Sequence, residues 1–173
     1  MAAPASNPGR ARMSQTLTTS VPKGYYSVTP FIVVKDIAQS IDFYRRAFGA
    51  EERMRMPGPD GKRVMHAELG IGDSVLMLGD ESPERGCFVP ASLKGHTGGL
   101  YLYVSDVDAA FARATRAGAK GTMNPTDMFW GDRVGEVEDP SGHRWSLATR
   151  KEDLTPAEMR ERAQVWFASQ GKA

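Results

Sequence analysis

The stretch FIVVKDIAQSIDFYRRAFGA, Phe31–Ala50, decides the fold because it returns in altered form as YLYVSDVDAAFARATRAGA, Tyr101–Ala119. Val34 and Asp36 come back as Val104 and Asp106, 70 residues on. In the first copy, Val28 to Val34 is a run of β-branched and aromatic residues and predicts a strand. Asp36, with Gln39 three residues later, is a helix-start signal. Ile37, Ile41, Tyr44 and Phe48 then fall on one helical face, and Gly49 ends the helix.

Working outward, MPGPDG, Met56–Gly61, is a turn cluster between two strands. Val64–Leu69 and Ser74–Leu78 predict a hairpin around Gly70–Asp73. Strand alternation puts Met65, Ala67 and Leu69 toward the helix, and His66 and Glu68 on the other face. The first unit is therefore βαβββ over residues 28–78. Gly79 to Thr97 reads as a linker, after which the order repeats over 99–148. Its parts are a strand at Leu100–Val104, a helix face of Val107, Phe111 and Ala114, and a strand near Lys120–Met123. The loop NPTDMFWGD follows, and then a hairpin of Val134–Glu138 and Arg144–Ala148 around the turn DPSG.

The expected fold class is α+β: two tandem βαβββ units forming a curved-sheet cup, helices on the convex faces, within one domain at 26–150. TPAE, Thr155–Glu158, followed by Met159, Ala163, Trp166 and Phe167, predicts a C-terminal helix within 151–173. Residues 1–25 are small, polar and Pro-containing and read as a disordered leader without a secretory signal's apolar core.

Composition excludes several functions. A net charge of +1 with scattered Lys and Arg argues against a nucleic-acid partner. No apolar run reaches the roughly 18 residues of a membrane helix. A single cysteine, Cys87, fits a reducing, cytoplasmic setting. GxGxxG, Walker, GxSxG and CxxC patterns are missing, so nucleotide and triad chemistries have no support.

The segment TPFIVVKDIAQSIDFYRRAFGAE resembles the opening of the vicinal oxygen chelate superfamily, which includes glyoxalase I, bleomycin-resistance proteins, fosfomycin-resistance enzymes and extradiol dioxygenases. The block MFWGDRVGEVEDPSGHRWSLAT is similar to the closing hairpin of that fold, in wording nearest its phosphonate-operon-associated branch. The resemblance implies a metal ligand on the first and last strand of each unit. Those positions hold Thr29, Met77, Gly99 and Ser146. Divalent transition metals favour imidazole, carboxylate or thiolate, so this set predicts no metal and no other cofactor.

The remaining candidates are few. By the 70-residue offset, His66 matches Glu136 and Glu68 matches Glu138. His66, Glu68 and Glu136 are therefore the candidate proton-transfer residues. Thr29, Phe31, Met77, Tyr101, Tyr103, Trp130 and Ser146 are the candidate lining of a ligand-binding cup, with Phe129 and Trp130 on a lid-like loop. His96 reads as a surface residue and His143 as an exposed hairpin tip. Three functions follow: a metal-free protein binding a small, partly aromatic molecule; a lyase, isomerase or dioxygenase working through His66 and Glu136; or an interaction module whose cup fills itself. The resemblance implies a homodimer. Whether the units pair within or between chains stays open.

Overall fold

A computed structural model describes residues 20–59, 61 and 63–170. The first unit runs β1 (Phe31–Val34), α1 (Ile37–Phe48), β2 (Glu51–Pro57), β3 (Val64–Ile71) and β4 (Ser74–Asp80). A single 3-10 turn, Pro83–Arg85, and the short α2 (Pro90–Leu93) occupy the connection. The second unit runs β5 (Gly99–Tyr103), α3 (Val107–Ala117), β6 (Lys120–Asp127), β7 (Asp132–Glu138) and β8 (Arg144–Arg150). Helix α4 (Pro156–Gln170) closes the chain. The two sheets have the same order, β1-β4-β3-β2 and β5-β8-β7-β6, with one parallel pair each, so the α+β reading with two βαβββ units holds. Among the described residues, no helix is long and apolar enough to cross a membrane.

The repeated aspartates start the repeated helices. Asp36 accepts a hydrogen bond from the Gln39 amide at 2.8 Å, and Asp106 accepts one from Ala109 at 3.0 Å. Gly49 sits at φ 70°, a left-handed conformation in which its amide reaches back to the Arg45 carbonyl. Ile37, Ile41 and Tyr44 are buried as the periodicity requires.

Both units share one core. Trp145 of β8 packs on Phe48 and Tyr44 of α1, with ring centroids 4.6 and 5.5 Å apart. The DPSG turn ties the units together through polar groups. Asp139 accepts hydrogen bonds from the Tyr44 hydroxyl (2.6 Å), the Trp145 indole (3.1 Å) and the amides of Ser141 and His143. Burial, followed by the Asp139 charge, pushes the Tyr44 phenol well above its ordinary range.

Several expectations need correction. β1 begins at Phe31, and Val28 is 85% exposed, because pairing with β4 starts only at Phe31 opposite Met77. β6 extends to Asp127, taking in half of the expected loop, since its pairing with β7 continues to Arg133. Met65 is half exposed rather than under α1. His143 is half-buried, and its Nε2 donates to the Val33 carbonyl at 2.6 Å, which pins the turn to β1. The expected leader lies outside the described residues up to position 19. Its final part, from Ser20, is described, and Tyr25 docks on the first sheet.

Candidate functional site

In each sheet, the face opposite the helix carries the chemistry. Strand register builds matching rows there. In the first sheet, Phe31 lies opposite Met77, and Met77 opposite Glu68. In the second, Tyr101 lies opposite Ser146, and Ser146 opposite Glu136. The structural mate of Glu136 is therefore Glu68, not His66, and His66 corresponds to Val134. The 70-residue offset of Phe31 and Tyr101 fails here because the second unit is two residues shorter between its first and third strands, so the offset is 68 at Glu68 and Glu136 and 69 at Met77 and Ser146.

The first face is a small polar cluster under an aromatic ring. The Tyr25 hydroxyl donates to the Glu68 carboxylate, and that bond pushes the Tyr25 phenol above its usual range. His66 Nε2 lies 3.5 Å from the other Glu68 oxygen. The Phe31 ring stacks on His66 at 6.2 Å, over Gly79, where a Cβ would meet the ring at 2.5 Å.

The second face centres on Asp132, which the sequence reading gave no role. Its side chain is 2% exposed and accepts from the hydroxyls of Tyr103 (3.0 Å) and Tyr101 (3.2 Å) through Oδ2. Arg150 Nη1 stands 3.6 Å from Oδ1. Burial first, and then Asp132, pushes the Tyr101 phenol up to about 12 against an opposing hydrogen bond from Trp130. Ser146 Oγ is 3.5 Å from Glu136 Oε1. Among the described residues, no hydrogen bond or ion pair joins His66 to Glu136; each has its partner within its own sheet.

The four inherited ligand positions are placed but not assembled into a donor set. Thr29 precedes β1, and its hydroxyl donates to the Tyr26 carbonyl at 2.9 Å. Gly99 lies opposite Arg144, and Met77 and Ser146 sit mid-row. Among the described residues, no group of three His, Cys, Asp or Glu side chains is arranged to hold a metal ion. The residues present do not fit one, whose usual protein ligands are imidazole, thiolate and carboxylate.

The expected lid loop is tied down on one side. Phe129 packs edge-on to Trp130 and also contacts Trp166 and Phe167 of α4 at 5.6 and 5.9 Å. Two adjoining cavities, of about 420 and 400 Å³, share His96, Gly99 and Arg144 as walls. Phe31 borders the first, and Tyr101 and Ser146 border the second.

A family model described as "Glyoxalase/Bleomycin resistance protein/Dioxygenase superfamily" matches residues 26–147. An uncharacterized protein of Mycobacterium tuberculosis is 41% identical over 167 residues, covering 94% of both chains. Among solved structures, TioX from Micromonospora sp. ML1 aligns with a TM-score of 0.57 at 29% identity, over 71% of this chain and 97% of that one. A gene product of Arabidopsis thaliana aligns with a TM-score of 0.58 at 28% identity, over 72% of this chain and 98% of that one.

Proposed function

This chain belongs to the Glyoxalase/Bleomycin resistance protein/Dioxygenase superfamily, and from that premise we propose that it binds a small, partly aromatic molecule without a metal ion. The observation that carries this reading is the pair Tyr101 and Tyr103. They stand half exposed on the open face, fixed from below by a buried carboxylate. Aromatic faces held in place by their hydroxyls offer stacking area at little entropic cost. Thr29, Phe31, Met77, Trp130 and Ser146 complete the proposed lining. Thr29, Met77, Gly99 and Ser146 at the inherited ligand positions favour binding over metal chemistry. In this reading the protein is cytoplasmic and acts as a homodimer, and the DPSGHRWSLAT block places it near the phosphonate-operon-associated branch.

Metal content combined with native mass spectrometry of freshly purified protein tests the reading. The expected result is no stoichiometric transition metal and a mass shift from a retained small molecule. One tightly held metal per chain overturns it.

A second reading is favoured by the contact of Tyr25, Glu68 and His66, which is a proton-transfer arrangement in search of a substrate. In that reading the protein is a lyase, isomerase or dioxygenase of the same superfamily, with Glu136 as a further acid–base group. Should an activity be detected, His66→Ala and Glu68→Gln each lower kcat by 10²-fold or so. Unchanged turnover in both variants removes these residues from the chemistry.

A further inference from the structure

The geometry points to an anion subsite at Arg144, so that the bound molecule is a small organic acid with an apolar body. This deepens the binding reading above and rests on it. Arg144 is half-buried at the start of β8. Its Nε is buried without a hydrogen-bond partner, and among the described residues no ion pair or hydrogen bond engages its side chain. Glu138 lies opposite it across the β7–β8 ladder, yet no ion pair joins the two.

A buried N–H without an acceptor is costly, because the group loses hydration and gains nothing in exchange. The arrangement becomes favourable once a carboxylate or phosphoryl group supplies acceptors in the fork geometry that Arg prefers. The surroundings suit such a ligand. Arg144 lines both the 420 and the 400 Å³ cavities, and neither cavity wall contains an Asp or Glu. Phe31, Phe88 and Leu93 offer apolar surface on one side; His96 and the Ser146 hydroxyl add polar groups on the other. Gly99 packs closely on β8, where a Cβ would meet the Arg144 backbone carbonyl at 3.1 Å.

The test is calorimetric titration of the full chain with benzoate, phenylphosphonate and the neutral isostere benzamide. We expect benzoate or phenylphosphonate to bind at least about tenfold more tightly than benzamide, as a charge-assisted pair requires. The tighter of the two acids identifies the anionic group. In Arg144→Gln the advantage of the acids disappears while benzamide binding is kept; Arg144→Lys retains part of it. To guard against a folding defect in the variants, the Arg144 Nε–H resonance of the wild type is followed by NMR. Benzoate shifts it and benzamide does not. Equal affinity of acid and amide for the wild type, or an unchanged preference in Arg144→Gln, overturns the anion subsite and leaves the binding reading standing. Failure of all three probes to bind overturns the anion subsite as drawn, while the native mass spectrum and metal content decide the binding reading separately.

Discussion

Asp132 shows how one residue sets the character of a face. Its carboxylate sits under two phenols and is nearly inaccessible, so Tyr101 and Tyr103 are held as hydrogen-bond donors with their rings outward. Removing it in Asp132→Ala strands both hydroxyls and costs about 1–3 kcal/mol, read as a lower midpoint in urea unfolding. The pH dependence follows from Tyr101, whose phenol is pushed up to about 12 by burial and then by Asp132. The folded state favours the neutral phenol. Its contribution is therefore complete below the ordinary tyrosine value near 10 and is lost as pH rises toward about 12. Ultraviolet titration should show Tyr101 among the late-ionising tyrosines, near pH 12, and Asp132→Asn should bring Tyr101 part of the way back while leaving Tyr44 and Tyr25 raised. A tyrosine kept neutral at working pH is a donor or a stacking surface and does not serve as a phenolate base. Nothing in the local sequence announced this. Asp132 reads as a loop residue until β7 is seen to start there and β5 to run beside β8, which requires pairings between residues more than 40 apart in the chain.

At the scale of elements, the three long helices were legible, while the short α2 inside the expected linker and the strand ends were not. Helix starts are written in local chemistry: Asp36 and Asp106 each cap an amide three residues away. Strand ends depend on a partner. β1 starts where β4 can pair with it, and β6 continues as long as β7 does. The same non-locality defeated the 70-residue offset, which identified the repeat correctly but assigned Glu136 to His66. The DPSG turn is where local and distant chemistry meet. Gly142 has φ +91°, and a Cβ there would lie 2.6 Å from the Ala91 amide nitrogen. Gly142→Ala should therefore cost about 1–3 kcal/mol, lowering Tm by about 2–4 °C for each kcal/mol in a chain of this length. Gly98→Ala, with open space and ordinary φ, should leave stability within about 0.5 kcal/mol of wild type. Tyr44→Phe tests the other arm of the same hub. It removes one of the hydrogen bonds to Asp139 and should cost about 1 kcal/mol without changing ligand binding.

For the whole molecule, the decisive quantity is the apolar surface left on the open faces. Phe31, Tyr101 and Tyr103 are 56, 48 and 58% exposed, and the aromatic rows do not fold over to cover themselves. A face of this kind tends to mark a binding or association surface. The reading of a self-filled interaction module loses its appeal for the same reason, with cavities of about 420 and 400 Å³ beside these rings. Within one chain, α1 and α3 pack against each other and His66 and Glu136 keep to separate sheets, which supports the proposal that a second copy supplies an opposing wall. Sedimentation velocity at micromolar concentration should give a two-chain species. Phe31→Asp places a charge on the open face that a second copy would cover; it should move the protein to a single-chain species and weaken binding of an aromatic acid in parallel. Ser169→Asp, at an exposed position of α4 outside the proposed lining, should do neither. A wild-type protein that sediments as one chain yet binds its ligand with full affinity would show that a single open face, with Arg144 and the two tyrosines, suffices as the site.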